Sequence, residues 1–372
     1  MIRDFLYHSL RKIFLTPLAL LWEGVYYIRR FFYNFKFFSV NTYKVPIISV
    51  GNITFGGTGK TPFTIWLADF LAENKQVPLI LTRGYKGKLE HSSGLLEKKD
   101  LESSNPEQFG DEALLIANKI STGAVAVGKN RVKNLEHYFK TLSPDVILLD
   151  DGHQHLKLGR NLNIVLFDSL APISSYKVAP LGYLREGLTA LRDADAIVLT
   201  RADQVIESKL DALKSLIRQH TFSHTLITEV GFKSNGLFNS SFKQVYTNDQ
   251  IQGKKVLAMA GIGSPQSFFN LLQSLGANIA DRSAFADHHA YSKEDMEELE
   301  KKAKELDAII VTTEKDMVKV RRISSGNEIY YLGIEIDILQ GRDELVSLIS
   351  STCNLKLRNR FVDNEQSQGN EI

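Results

Sequence analysis

The run Gly51-Asn52-Ile53-Thr54-Phe55-Gly56-Gly57-Thr58-Gly59-Lys60-Thr61 carries the first recognisable chemistry of this chain. Glycines let successive backbone N–H groups curl around an anion with no Cβ in the way. A Gly-Lys-Thr that opens a helix adds three things: the positive end of the helix dipole, a lysine that reaches β- and γ-phosphates, and a hydroxyl that can ligate Mg²⁺. Thr54, Phe55, Gly56, Gly57, Thr58, Gly59, Lys60 and Thr61 are therefore the candidate nucleotide-binding residues, with Lys60 also catalytic and Thr61 also a metal ligand. The strict G-x-x-x-x-G-K-[ST] pattern has glycine where this chain has Thr54, and Gly56 and Gly57 supply the flexibility instead.

The second signal is Val146-Ile147-Leu148-Leu149-Asp150-Asp151, an apolar strand that ends in carboxylates. A carboxylate there can hold Mg²⁺ beside the threonine of the glycine loop. Acidic residues also cap ordinary turns, so the weight comes from the pairing with Gly59-Lys60-Thr61. Asp150 and Asp151 are both candidate metal ligands, and the spacing does not choose between them. Arg83, Arg131 and Arg185 are candidates to grip phosphate oxygens, because guanidinium presents a fork of donors. A surface ion pair is the plain alternative for each.

These groups need elements to hold them. Val45–Val50 reads as a β-branched strand, and Ile65, Trp66, Leu67, Phe70 and Leu71 have helical spacing, which together give the strand–loop–helix context of a P-loop. Near-continuous apolar strands at 78–82, 124–128, 146–150, 164–168 and 196–200 alternate with helical stretches, the pattern of a doubly covered parallel sheet. In such sheets ligands sit at the carboxyl ends of strands, so both motifs would share one crevice. Thr200-Arg201-Ala202-Asp203 reads as a turn and helix cap. Residues 224–248 look like two strands around a Ser234-Asn235-Gly236 turn, and Val256–Gly263 and Ala308–Thr313 open a second α/β unit. The expected fold is α/β: a P-loop NTPase core with a mainly parallel sheet, plus a second smaller α/β domain joined by a β-strand linker. The expected divisions are an N-terminal segment at 1–40, the P-loop core at 41–223, the linker at 224–250, the second domain at 251–358 and a polar tail at 359–372.

The first 38 residues are dense in aromatic and aliphatic side chains, with Arg3, Arg11, Lys12, Arg29, Arg30 and Lys36 interleaved. The uninterrupted apolar run Ile13–Trp22 is too short to cross a bilayer and contains Pro17. The segment reads as interfacial, with apolar groups in lipid and cations at the headgroups. The competing reading is a helix packed on the protein's own core. A net charge of +2 gives no electrostatic case for nucleic acid as a partner, and the lone Cys353 excludes an internal disulfide framework.

The chain resembles the lipid A 4′-kinase (tetraacyldisaccharide 4′-kinase) family over nearly its whole length. The resemblance rests on Gly51-Asn52 through Thr61-Pro62, Thr82-Arg83-Gly84-Tyr85, Gly110-Asp111-Glu112, Asp150-Asp151-Gly152-x-Gln154-His155, Leu184-Arg185-Glu186, Asp287-His288 and Thr313-Glu314-Lys315-Asp316, in that order. His153 stands where the family has phenylalanine, and Ala113 where it has proline. The resemblance implies ATP- and Mg²⁺-dependent phosphorylation of the 4′-hydroxyl of an acylated glucosamine disaccharide 1-phosphate, giving lipid IVA for lipopolysaccharide. It implies work at the cytoplasmic face of a bacterial inner membrane, peripheral or monotopic. It makes Asp111 the candidate base and His288 its orienting or relaying partner, a pair expected to assemble across two domains when the cleft closes. It adds Asn52, Gln154 and His155 to Arg83, Arg131 and Arg185 as candidate substrate contacts. Two other readings share the glycine loop and Asp150: a P-loop ATPase of the metal-chaperone or partitioning type, and a nucleotide-gated membrane scaffold without turnover.

Overall fold

The computed structural model describes residues 2–323 and 329–355, with side chains from residue 14 onward. The expected polar tail at 359–372 lies outside the described residues. The strands are β1 (Ile47–Gly51), β2 (Pro78–Thr82), β3 (Gly94–Leu96), β4 (Ala124–Val127), β5 (Val146–Asp150), β6 (Leu162–Asp168), β7 (Ala196–Thr200), β8 (Leu226–Phe238), β9 (Gln244–Tyr246), β10 (Lys255–Ala260), β11 (Asn278–Ala284), β12 (Ile309–Thr313) and β13 (Ile329–Gln340). Among the described residues they form a single 13-stranded sheet in the order β11-β10-β12-β13-β8-β7-β6-β1-β5-β2-β4-β3, with β9 on β8. The α/β, mainly parallel character read from the alternating apolar strands is what forms.

The sheet has two parallel blocks. In the first, β1 lies between β5 and β6 and is parallel to both, so Gly51, Asp150 and Asp168 emerge on one edge. In the second, β10, β11, β12 and β13 run parallel to one another. The blocks meet at β8, which is parallel to β7 but antiparallel to β13. The second block therefore runs opposite to the first.

The length of β8 sets the distance between them. Its Val230 is level with Thr200 at the end of β7, while its Leu237 is level with Leu332, the neighbour of Thr313 at the end of β12. The carboxyl edges of the two blocks thus face each other across the span from Val230 to Leu237, roughly 23 Å at about 3.3 Å per residue. Phe232 of β8 with Leu332 and Ile334 of β13 line the gap.

The turn expected at Ser234-Asn235-Gly236 does not form. β8 runs straight through these residues, and the chain reverses at 239–243 instead. Pairing with β13 on the adjacent edge overrides the local turn propensity of Asn-Gly.

The N-terminal segment is one helix, Ile2–Asn34, with Pro17 inside it. One side docks on the core and the other does not: Ala19 and Arg30 are buried, whereas Phe14 is 72% and Leu21 68% exposed. Among the described residues no helix is long and apolar enough to cross a membrane.

Candidate active site

The glycine loop leaves β1 and enters the helix Lys60–Glu73, which buries Phe63, Ile65, Leu67 and Leu71 against the sheet. Gly59 caps that helix at φ +80°, where a side chain would be strained and a Cβ would meet Phe232 at 2.7 Å. The loop is braced from behind. Thr200 Oγ1 donates to the Thr58 carbonyl at 3.0 Å, and Arg201 Nη2 donates to the Gly57 carbonyl at 2.7 Å. The turn and cap expected at Thr200–Asp203 is thus also the loop's brace. Asn52 donates to Thr54 Oγ1 at 3.3 Å and to Thr58 Oγ1 at 3.1 Å. Asn52 and Thr54 are buried in this scaffolding and do not line the cleft.

The cleft in front of the loop has a volume of about 790 Å³ and is lined from both blocks of the sheet. It contains Phe55 to Thr61, Arg83, Arg131, Asp150, Asp151, Gln154, His155, Arg185 and His288. Trp22 and Tyr26 of the N-terminal helix also line it, with Glu112, Phe232, Asp287 and Lys315, none of which the sequence marked as site residues.

The two carboxylates after β5 differ in surroundings. Asp151 faces Lys60 Nζ at 3.5 Å and Arg185 Nη1 at 3.1 Å. Burial alone would raise its pKa, but Lys60 and Arg185 outweigh that and hold it well below the usual carboxylate range. Asp150 is buried and has hydroxyl partners only, Thr82 Oγ1 at 2.9 Å and Thr64 Oγ1 at 3.5 Å. Burial first, then the Glu112 and Asp151 charges, push it up to about 6.

The basic side of the cleft is partly committed. Arg83 Nε donates to Glu90 at 2.6 Å, and Arg131 is buried with long contacts to the Lys129 and Asp150 carbonyls at 3.3 and 3.5 Å. Gln154 Nε2 donates to the Asn52 carbonyl at 2.7 Å. His155 Nε2 is buried without a partner, and burial with the nearby Arg131 drives its pKa to about 3, so it is neutral.

Asp111 opens the helix Asp111–Lys119 and is buried. Its Oδ1 accepts from the Glu112 N–H at 2.9 Å, and its Oδ2 lies 3.0 Å from His288 Nδ1. Burial raises the Asp111 pKa, yet the His288 hydrogen bond and the Lys315 charge more than offset it and leave it below the ordinary value. His288 and Asp151 both adopt left-handed backbone, φ 59° and 52°, a strain that sites tolerate and that the sequence does not reveal. The two partners, far apart in sequence and expected to meet on closure, are already paired in this structure.

The N-terminal helix touches the same machinery. Trp22 Nε1 donates to the Arg185 carbonyl at 2.8 Å, and Arg29 Nη2 to the Gln154 carbonyl at 2.9 Å. Arg30 pairs with Glu186 at 2.6 Å and with Asp193, and its Nη2 donates to His153 Nε2 at 2.9 Å. Burial, then Arg30 and Arg160, hold His153 neutral, so it can accept that bond. The unusual histidine therefore faces the helix anchor.

A family model described as Tetraacyldisaccharide-1-P 4'-kinase matches residues 11–354. The tetraacyldisaccharide 4'-kinase of Desulfotalea psychrophila is 35% identical over 331 residues, covering 89% of this chain and 94% of that protein. That of Halothermothrix orenii is 33% identical over 361 residues, covering 91% and 93%. Among solved structures, "apo" form LpxK from Aquifex aeolicus in complex with ATP aligns with a TM-score of 0.74 at 30% identity, covering 95% of this chain and 99% of that one.

Proposed function

The chain belongs to the tetraacyldisaccharide 4′-kinase family, and from that premise we propose how its cleft performs the reaction. The enzyme uses ATP and acts in lipid A biosynthesis. The bond from the γ-phosphorus to the β,γ-bridging oxygen breaks, a bond to the sugar 4′-oxygen forms, and the hydroxyl proton goes to Asp111. ADP leaves with the former bridging oxygen. The observation that carries this reading is the convergence in one cleft of Lys60, the Asp150–Asp151 pair and His288 with its partner Asp111.

Lys60 and the N–H groups of Gly56 to Lys60 hold the phosphates, and the loop braces at Thr200 and Arg201 keep those donors in place without reorganisation. Asp111 stays ionised because His288 and Lys315 stabilise its charge. A carboxylate is a far weaker base than a sugar alkoxide, so it accepts the proton late, once the new P–O bond has begun to form. Arg83, Arg131, Arg185 and the neutral His155 line the cleft, and we assign them to the acceptor's sugar phosphate, which forked donors suit.

The residues fit a magnesium ion. Among the described residues no cluster of three or more acidic, histidine or cysteine side chains could cage a metal. Mg²⁺ in phosphoryl-transfer sites needs no cage, because one or two carboxylates and the nucleotide's own oxygens suffice. Asp150 and Thr61 supply hard oxygen donors, and among the described residues Asp150 makes no ion pair, whereas Lys60 and Arg185 pair with Asp151. When bound, the ion would neutralise charge on the β- and γ-phosphates.

We assign the exposed face of the helix Ile2–Asn34 to the inner-membrane surface on its cytoplasmic side. Phe14, Leu18 and Leu21 stay uncovered while Trp22 and Tyr26 reach the cleft, so an acylated substrate can meet the site without leaving the bilayer. We treat 41–223 and 251–358 as the mechanical units, with 224–250 bridging them. The test is coupling: ADP release should depend on an acylated disaccharide 1-phosphate and match lipid phosphate one to one. Steady ATP hydrolysis without that acceptor would instead favour a P-loop ATPase.

A further inference from the structure

Lys315 is the second residue of the helix Glu314–Val320, which follows β12. Its Nζ lies 3.1 Å from His288 Nε2, 3.2 Å from Glu112 Oε1 and 3.5 Å from Asp287 Oδ1. An ammonium has three N–H donors and no lone pair, so these three acceptors use all of them. His288 Nε2 must then be the acceptor, which leaves the ring proton on Nδ1, the nitrogen that faces Asp111 Oδ2 at 3.0 Å.

We propose that Lys315 is a positioning residue for phosphoryl transfer: by donating to His288 Nε2 it fixes the imidazole as the neutral Nδ1–H tautomer, and that N–H holds Asp111 as an open carboxylate. The inference rests on the kinase reading above. Of the charged groups facing the imidazole, the Asp287 carboxylate, 4.0 Å from Nε2, favours a proton there, and the Lys315 ammonium stands nearer, at 3.1 Å. Asp111 and Glu112 come from one helix, Asp287 from the loop after β11, and Lys315 from the helix after β12. Lys319, on the same helix, stands 3.9 Å from Asp111 Oδ2 and 2.9 Å from Asp316. The Tyr85 ring packs edge-on against the imidazole at 5.2 Å. Burial would favour neutral Lys315, but Glu112, Asp111 and Asp287 more than offset it and keep the ammonium.

The consequence for the proton is specific. With Nδ1 already protonated, His288 has no lone pair toward Asp111 and cannot take the proton onward. On this reading His288 orients the base and does not relay. Lys315 also ties the two blocks together, because Glu112 belongs to the first and Asp287 to the second.

Imidazole ¹⁵N spectra of histidine-labelled protein test this directly, with His288 assigned by its absence in His288→Gln. Wild type should show the Nδ1–H tautomer at neutral pH. In Lys315→Met the tautomer should change or average, and kcat for lipid phosphorylation should fall about 10- to 100-fold with the KM for ATP unchanged. Lys315→Gln, whose amide can still donate to Nε2, should keep the tautomer and recover part of the rate. An Nε2–H tautomer in wild type, or a folded Lys315→Met with wild-type tautomer and kcat, overturns the proposal. If Lys315→Met does not fold, the wild-type tautomer and Lys315→Gln still decide. Failure of the kinase reading would look different: wild type would phosphorylate no lipid whatever the tautomer.

Discussion

Asp150→Asn should stabilise the nucleotide-free protein while abolishing its function. The folded carboxyl ionises near pH 6 against an ordinary 3.8. That gap of roughly two units corresponds to about 3 kcal/mol of folding free energy withheld above pH 6. Below about pH 4 the group is protonated in both states and has no effect. Between pH 4 and 6 the unfolded chain ionises first, so stability falls as pH rises, and above 6 the full penalty stands. Asparagine is neutral throughout and keeps an acceptor for Thr82 Oγ1. At about 2.1 cal/mol/K per residue, unfolding this chain carries an entropy of roughly 0.8 kcal/mol/K, so the gain is about 4 °C in Tm. The assay is thermal melting of both proteins in chelator from pH 5 to 8. The Asn variant should gain most at pH 8 and progressively less toward pH 5. Adding Mg²⁺ and ATP should then raise the Tm of wild type more than that of the variant, because only wild type keeps the carboxylate ligand. An Asn variant that melts with or below wild type in chelator at every pH would refute the reasoning.

Three further outcomes follow from the same contacts. Asp111→Ala and His288→Ala should each depress kcat, and the double variant should be little worse than the poorer single, since the two act as one unit; a cycle with fully multiplicative losses would show independent roles. Phe14→Ser with Leu21→Ser removes two exposed apolar groups, so liposome affinity should drop at least about tenfold with Tm unchanged; unchanged partitioning measured by flotation would remove the membrane assignment. Arg30→Met leaves Glu186 buried without its cation and should cost about 3–5 kcal/mol in chemical denaturation, and Glu186→Gln on top should restore part of it; a loss confined to a few tenths would mean the helix is held by packing alone.

The site was legible in the sequence where its geometry is local. A strand, a glycine loop and a helix N-terminus follow one another within a few residues, so Lys60 and Thr61 could be placed from types and spacing. Asp150 followed from the apolar run before it. Asp111 and His288 came from the resemblance, since nothing in their spacing links them. What stayed hidden was tertiary. Lys315 stands in the Thr313-Glu314-Lys315-Asp316 motif with no role attached, and Arg30 reads as a headgroup cation, until the fold sets Glu112, Asp287 and Glu186 against them. The continuation of β8 through Asn235-Gly236 depended on β13, which went unrecognised although Ile334, Ile336 and Ile338 alternate there with Glu335 and Asp337. β11 escaped because Asn278–Ala284 is a largely polar edge strand with no apolar run to mark it.

The central claim is that this cleft moves the γ-phosphoryl group of ATP to the 4′-oxygen of an acylated glucosamine disaccharide 1-phosphate. The direct measurement is mass spectrometry and ³¹P NMR of the lipid after incubation with Mg²⁺ and ATP, using wild type and a folded Lys60→Ala variant. The account predicts a second phosphate on the 4′-position with wild type, and a rate at least about 100-fold lower with Lys60→Ala, since one preorganised charge at the transferring group is worth several kcal/mol. ADP formed without new lipid phosphate, or full transfer by Lys60→Ala, would contradict it.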